Sequence, residues 1–253
     1  MALPFHWPDG RCCAVSLTYD DALRIHYEFV GPRLEAHGLR GTFYLHIAAD
    51  PIENPAPWRE LAERGHELGN HSLFHPCRRS LSRRRWLNKA FDLRDYTPLR
   101  FQLEVRAANG FLHLLDGKTE RTYAITCGDT RIGRCWNKKR VCDLIRNDFV
   151  AARGTRVGRT TVVSPSLDLM NVGSSGSADG RTFDDLRDEV CKAREQGGWL
   201  IYVIHGVGRG THPSFVEKEV HEQLLSWLAC QSQIWVRPFI DVANWIREWQ
   251  QGK

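Results

Sequence analysis

Trp199-Leu200-Ile201-Tyr202-Val203-Ile204 is a run of six strongly apolar residues, with Gly197-Gly198 before it and His205 after it. A strand with one wet face alternates apolar and polar side chains. A continuous run instead reads as a strand buried on both faces, as in a parallel sheet covered by helices. Working outward, Phe183 to Gln196 predicts a helix stopped by the two glycines. Phe215 to Ala229 predicts the next helix, Ile234-Trp235-Val236 a strand, and Ile240 to Gln250 a last helix.

The same alternation runs back to the start of the chain. Cys13 to Thr18 predicts a strand ending at Asp20-Asp21, residues 22–37 a helix stopped by Gly38, and Thr42 to Leu45 a strand. Pro57 to Arg64 predicts a short helix before Gly65, and His66 to Asn70 leads into His71. Residues 76–97 are irregular, basic and aromatic. Pro98 to Leu115 predicts a helix whose apolar stripe is Leu99, Leu103, Ala107 and Phe111. Tyr123 to Thr126, Phe149 to Ala152 and Thr160 to Ser164 predict strands, with a helix from Lys138 to Asn147. Residues 173–180 are rich in Gly and Ser and predict a loop. About seven strand–helix units without a linker suit a closed α/β barrel better than an open sheet. The expectation is one domain over residues 1–253, with a long segment at 76–122.

Composition narrows the function. With 42% hydrophobic and 26% charged residues, a disordered chain, a collagen and a coiled coil are excluded. A net charge of +5 is no nucleic-acid footprint without a basic stripe. The cluster Arg78, Arg79, Arg83, Arg84 and Arg85 reads as a solvated loop. A run of six apolar residues is far short of the roughly 20 a membrane-spanning helix needs. The eight cysteines contain no CxxC pair, so neither a disulfide scaffold nor a zinc ribbon is expected. Most of them read as buried thiols in a reducing compartment. The segment Met1 to Gly10 has neither a basic start nor an apolar stretch, which predicts a cytoplasmic protein unless a leader has been removed.

Four features fall at the C-terminal ends of predicted strands, where an α/β barrel places its chemistry. They are Asp20-Asp21, His71 with His75, the Cys127-Gly128-Asp129 turn, and His205. Each alone has a plain reading: a helix cap, two exposed histidines, a turn, a core histidine. Together they offer more. Two histidines and one carboxylate make a three-ligand metal set that leaves a position for water. A second carboxylate beside the metal can take a proton, and a remote histidine can give one.

These residues resemble the motifs of the polysaccharide deacetylases, the NodB-homology group classed as carbohydrate esterase family 4. Leu17-Thr18-Tyr19-Asp20-Asp21 is similar to the first motif, His71-Ser72-Leu73-Phe74-His75 to the second, and Ile204-His205 to the last. Gly41-Thr42-Phe43-Tyr44, Gly65 to Asn70 and Ile234 to Ala243 are similar to the connecting text, so the resemblance spans about residues 12–248. It implies a distorted (β/α) barrel with fewer than eight strands. It implies Asp21, His71 and His75 as ligands of a divalent metal, usually Zn2+, with Co2+, Ni2+, Mn2+ or Fe2+ as alternatives. It implies Asp20 as general base on water activated by the metal, and His205 as general acid. The implied reaction is hydrolysis of an acetyl group on an acetylated sugar or polysaccharide.

The chain departs from the family pattern in two places. Ala124 to Gly128 lacks the third motif's Arg, and Arg153, in Ala151-Ala152-Arg153-Gly154 just after a predicted strand, is the expected substitute. The backbone N–H of Cys127 remains a candidate oxyanion donor, because a backbone donor survives a side-chain change. Its thiol reads as a spectator beside the metal. The Trp wall of the fourth motif has no clear counterpart. Two further readings keep the fold: an amidohydrolase of a small non-sugar amide, and a non-catalytic binding barrel. Oligomeric state is not legible in the sequence.

Overall fold

The structure is a computed structural model that describes residues 4–79, 84–134, 138–157 and 160–252. Arg83 of the basic cluster lies outside the described residues. The central sheet is built from β1 (Cys13–Asp20), β2 (Thr42–Leu45), β3 (Glu67–Asn70), β4 (Thr122–Ala124), β5 (Ala151–Val157), β6 (Val172–Ser174), β7 (Gly176–Ser177), β8 (Trp199–Ile204) and β9 (Ile234–Val236). Every pairing between these strands is parallel. The order is β6-β5-β4-β3-β2-β1-β8-β7, with β9 added to β1. Ala14 to Tyr19 pair residue by residue with Trp199 to Ile204, so the apolar run quoted first is the neighbour of the strand carrying Asp20.

The sheet curls into a nearly closed barrel, as the sequence leads one to expect, but with nine strands instead of about seven, and the run 172–177 accomplishes the closure. Val172 and Ser174 pair with β5 on one side, while Gly176 and Ser177 pair with β8 on the other. The reading of 173–180 as a loop is therefore corrected: its small residues let two short strands turn tightly from one edge to the other.

The helices are α1 (Gly31–Ala36), α2 (Pro55–Glu63), α3 (Pro98–Asp116), α4 (Phe183–Gln196), α5 (Lys218–Ala229) and α6 (Phe239–Gln250), with shorter ones at Asp50–Glu53 and Val141–Ile145. Gly38 and Gly197 take the left-handed conformation just past α1 and α4, where a side chain is disfavoured. Several boundaries differ from expectation. The helix at 22–37 begins with a π-helical turn, His26–Val30. The one at 138–147 contracts to five residues because Lys139–Arg140 pairs with Arg131–Ile132. Thr160 to Ser164 is no strand; Thr161 makes one antiparallel bridge to Trp199. Phe215–Val216 pairs with Gly206–Val207 before α5 starts.

Helix α3 is present, but its inward face is not the expected one. Leu99 and Leu103 are 65% and 55% exposed, while Phe101, Val105, Ala108, Leu112 and Leu115 are buried. Both sets repeat at helical spacing, and the five-residue set goes inside, with Phe111 of the expected stripe half-buried against the core. Leu112→Ala should cost about 2–5 kcal/mol of stability, by lost burial plus a cavity. Leu103→Gln should stay within about 0.5 kcal/mol. Denaturant unfolding of the two variants checks the assignment, and equal losses would contradict it.

Candidate active site

The C-terminal ends of the strands open into a cavity of about 1410 Å³, lined among others by Asp20, Asp21, His71, His75, Cys127, Arg153, His205 and His212. Among the described residues six non-glycine residues have positive φ. Three of them, Asp21, His75 and Cys127, line this cavity, and Ala22 and Ser72 are the buried chain neighbours of Asp21 and His71. Such conformations cost of order 1–3 kcal/mol each and persist where surrounding structure holds them in place. At Asp21 and His75 they turn a side chain away from the direction of the strand and into the cavity.

Asp21, His71 and His75 converge. His71 Nε2 and His75 Nε2 lie 3.2 Å apart, and Asp21 Oδ1 lies 3.5 and 3.3 Å from them. At metal–ligand distances of about 2.0–2.1 Å, the edge of a tetrahedral N,O site is roughly 3.4 Å. The three atoms thus already form one face of such a tetrahedron. His71 Nδ1–H donates to the carbonyl of Ala124 at 2.9 Å, which leaves Nε2 as a lone pair facing the other two. Helix α3 supports the arrangement: Asn70 Nδ2 donates to Val105 O and Asn109 Oδ1, and Asn70 Oδ1 accepts from the Ser72 N–H. The three residues therefore fit a divalent cation.

Asp20 is buried beside them, with Oδ2 4.0 Å from His71 Nε2. Arg153 grips it with both guanidinium nitrogens; Nη1 is 2.9 Å from Oδ1, and Nη2 reaches Oδ2. Nη1 also donates to Thr18 Oγ1 at 2.6 Å, and the guanidinium lies 4.8 Å from the centre of the Tyr44 ring. Burial pushes the Asp20 carboxyl up, but the Arg153 charge and hydrogen bonds, with His71, hold it below the usual range. Arg153 lies within β5, not after it as expected. The structure nevertheless brings it to the carboxylate it was expected to meet.

At the end of β8, the strand paired with β1, His205 Nδ1 meets Asp179 Oδ2 at 2.8 Å, and the His205 N–H donates to Asp179 Oδ1. Burial alone would lower the imidazole, but the Asp179 hydrogen bond and the charges of Asp20, Asp179 and Asp21 outweigh it. Its pKa rises to about 8. The His212 ring stacks on His205 at 5.1 Å and 11°, with Nε2 3.8 Å from Asp21 Oδ2. Neither Asp179 nor His212 stood out in the sequence. Asp179 ends the small-residue run read as a loop, and His212 lies between two turns with no spacing signal.

Cys127 corrects a further expectation. It is bonded to Cys77, 50 residues away, so neither is a free thiol. Of the free cysteines among the described residues only Cys13 and Cys142 are buried; Cys12 and Cys191 are intermediate and Cys230 is exposed. Arg84 is no solvated cation either. It pairs with Asp129 and donates to the Cys127 carbonyl at 2.8 Å, pinning the turn at the cavity edge.

Residues 9–140 match the model of the polysaccharide deacetylase family. A gellan lyase of a Bacillus species is 24% identical over 96% of this chain, and the chain spans about a tenth of that relative's length. A protein of Mycobacterium smegmatis assigned to the polysaccharide deacetylases has a TM-score of 0.65 at 16% identity, over 98% of this chain and 95% of its own. A family 4 acetyl xylan esterase from Clostridium thermocellum, in complex with a cobalt ion, has a TM-score of 0.56 at 16% identity, over 91% and 90%. At these identities the structural likeness speaks for the barrel. The sequence match takes in just over half of the chain, and with it Asp20, Asp21, His71 and His75; the chain belongs to the polysaccharide deacetylase family.

Proposed function

We propose that the chain is a divalent-cation-dependent hydrolase that removes acetyl groups from an acetylated carbohydrate, with N-acetyl groups as its main target. The observation that carries this reading is the Asp21–His71–His75 triangle, accompanied in the same cavity by a carboxylate–arginine pair and a carboxylate–histidine pair. The two-nitrogen, one-oxygen ligand set suits Zn2+ and also accepts Co2+. When bound, the cation supplies a Lewis acid that polarises the acyl oxygen and makes water a better nucleophile. Asp20, held ionised by Arg153, takes the proton from the attacking water. His205, protonated against Asp179, delivers a proton to the leaving nitrogen or oxygen. The Cys127 N–H, at the cavity edge, donates to the oxygen of the tetrahedral intermediate.

The size of the cavity favours a carbohydrate over a small amide. At about 1410 Å³ it exceeds the roughly 300–1,000 Å³ usual for a small-molecule pocket. Trp86, 65% exposed, and the stacked rings of Phe74 and Phe91 line it with flat apolar surface. The Cys77–Cys127 disulfide supports an oxidising, extracytoplasmic setting.

The test is acetate release from chitooligomers, peptidoglycan fragments, acetylated xylan and small amides. Release from a carbohydrate, stopped by chelation and restored by Zn2+ or Co2+, is expected. Turnover of the small amides alone, or turnover indifferent to chelation, would overturn the reading. Asp21→Ala removes one corner of the triangle. Its cation affinity and activity should fall by more than the roughly 10–100-fold that loss of a residue merely supporting a ligand costs. Equilibrium dialysis with Zn2+ measures the first, and unchanged affinity would remove Asp21 from the ligand set.

A further inference from the structure

His75 has two ring nitrogens, and the triangle uses one. Its Nε2 faces Asp21 and His71, while its Nδ1 lies 3.6 Å from Cys77 Sγ. His75, Cys77 and Cys127 each place a ligand atom within 4.8 Å of the others. At about 2.3 Å for zinc–sulfur and 2.0–2.1 Å for zinc–nitrogen, the S···N edge of a tetrahedral site is roughly 3.6 Å. The separation present is that edge.

The backbones that carry the two sulfurs are held apart from the disulfide itself. The Cys77 N–H donates to Phe91 O at 3.2 Å, and Cys77 O accepts from the Leu93 N–H at 2.9 Å. Cys127 O accepts from Arg84 Nη2, and its neighbour Thr126 donates through Oγ1 to Pro76 O. Breaking the S–S bond would leave both sulfurs close to His75. Cys127 lines the cavity, so a small reductant has a path to the bond.

We propose that reduction of the Cys77–Cys127 disulfide unmasks a second cation site, formed by the Cys77 and Cys127 thiolates and His75 Nδ1, that takes a thiophilic divalent cation such as Zn2+ or Cd2+. A dithiol supplies two electrons and two protons, becomes a cyclic disulfide, and leaves two thiols. The cation then displaces both thiol protons to solvent, and two thiolates balance its charge. The cavity leaves the fourth position to water. A neutral imidazole carries a proton on one nitrogen, so His75 cannot serve both sets unless it loses that proton. The two sites are therefore coupled through one ring, and the redox state of the disulfide acts on the hydrolytic centre. The sulfur site itself does not depend on the activity proposed above.

The experiment uses the full chain, oxidised or treated with a dithiol and freed of it without oxygen, with Co2+ as the probe. Thiol titration should find two more thiols per chain after treatment. The oxidised protein should show only weak visible bands from the Asp21–His71–His75 set. The reduced protein should add an intense near-ultraviolet thiolate-to-cobalt band saturating at one equivalent. Cys77→Ser and Cys127→Ser should each lack this band in both states, while Cys142→Ser keeps it on reduction. Visible bands retained in the serine variants show that the fold is intact. A native chain that gains no thiols, a reduced chain without the new band, or a band that survives in both serine variants overturns the proposal. Absence of the visible bands in the oxidised protein counts against the first site alone.

Discussion

Replacing His205 with alanine is expected to lower kcat on an N-acetyl substrate by about 10²–10⁴, with the cation still bound. Its imidazole follows β8, the strand paired with the one that ends in Asp20, and its Nδ1 is occupied by Asp179, which leaves Nε2 to face the substrate. To act as an acid it must be protonated. Its pKa is raised to about 8, so the acid form persists below that pH and is lost above it. The alkaline limb of the pH profile should therefore fall near pH 8, the acid limb reporting Asp20. Asp179→Asn removes the strongest group that raises the histidine, while Asp20, Asp21 and the stacked His212 remain. The alkaline limb should then move down toward the ordinary value of about 6.5. An amine leaves poorly unless protonated, whereas an alkoxide leaves more easily. The alanine variant should thus lose far more activity on an N-acetyl sugar than on a matched O-acetyl ester. Equal losses, or an alkaline limb that Asp179→Asn leaves in place, would make His205 a positioning residue.

The residues of this site differ in how visible they are in the sequence, for physical reasons. Asp20, Asp21 and His205 are legible because they end or follow strands that announce themselves by an apolar run, whereas His71 and His75 follow Glu67–Asn70, which has no such run, and stand out through their own spacing. A barrel turns every strand end toward the same cavity. Arg153 is legible only through the family resemblance: Ala124 to Gly128 lacks the third motif's Arg, and Arg153 is the substitute the resemblance suggests. Asp179 is hidden because Gly and Ser at 173–180 signal a turn, whereas here their small size serves closure of the barrel. His212 belongs to no periodic element. Cys77 and Cys127 are 50 residues apart, and no spacing rule pairs cysteines at that distance. Helix α3 shows the limit of periodicity: two apolar stripes share its spacing, and only packing against β3 and β4 selects Phe101, Val105 and Leu112. The phase of a helix is a tertiary property that a lone helical pattern does not contain.

Arg153→Ala should be the most damaging single change to the whole molecule, because it strikes fold and chemistry together. Arg153 and Asp20 are 4% and 3% exposed, and their paired contacts satisfy a carboxylate almost wholly withdrawn from bulk solvent. Removing one partner of a buried ion pair typically costs about 3–5 kcal/mol, since the other charge is left unpaired. For a chain of this length that is a Tm lower by roughly 10 °C. The same loss lets burial push the Asp20 carboxyl up. A base works only when ionised, so a raised pKa moves the acid limb of the rate profile to higher pH and lowers kcat at neutral pH. Arg153→Lys keeps the charge but not the two-pronged grip, and should fall between the variant and the parent on both measures. The double variant Asp20→Asn/Arg153→Met separates the two effects. With both groups gone no buried charge is left unpaired, so stability should return to within about 1–2 kcal/mol of the parent chain. Activity should remain absent, because no base is present. If the double variant is instead as unstable as the sum of the single ones, the pair is not a coupled unit. Arg153 would then support the barrel through Thr18 and Tyr44 alone. Coupling in stability together with non-recovery of activity is the outcome that assigns Arg153 to holding Asp20 ionised and aimed at the cavity.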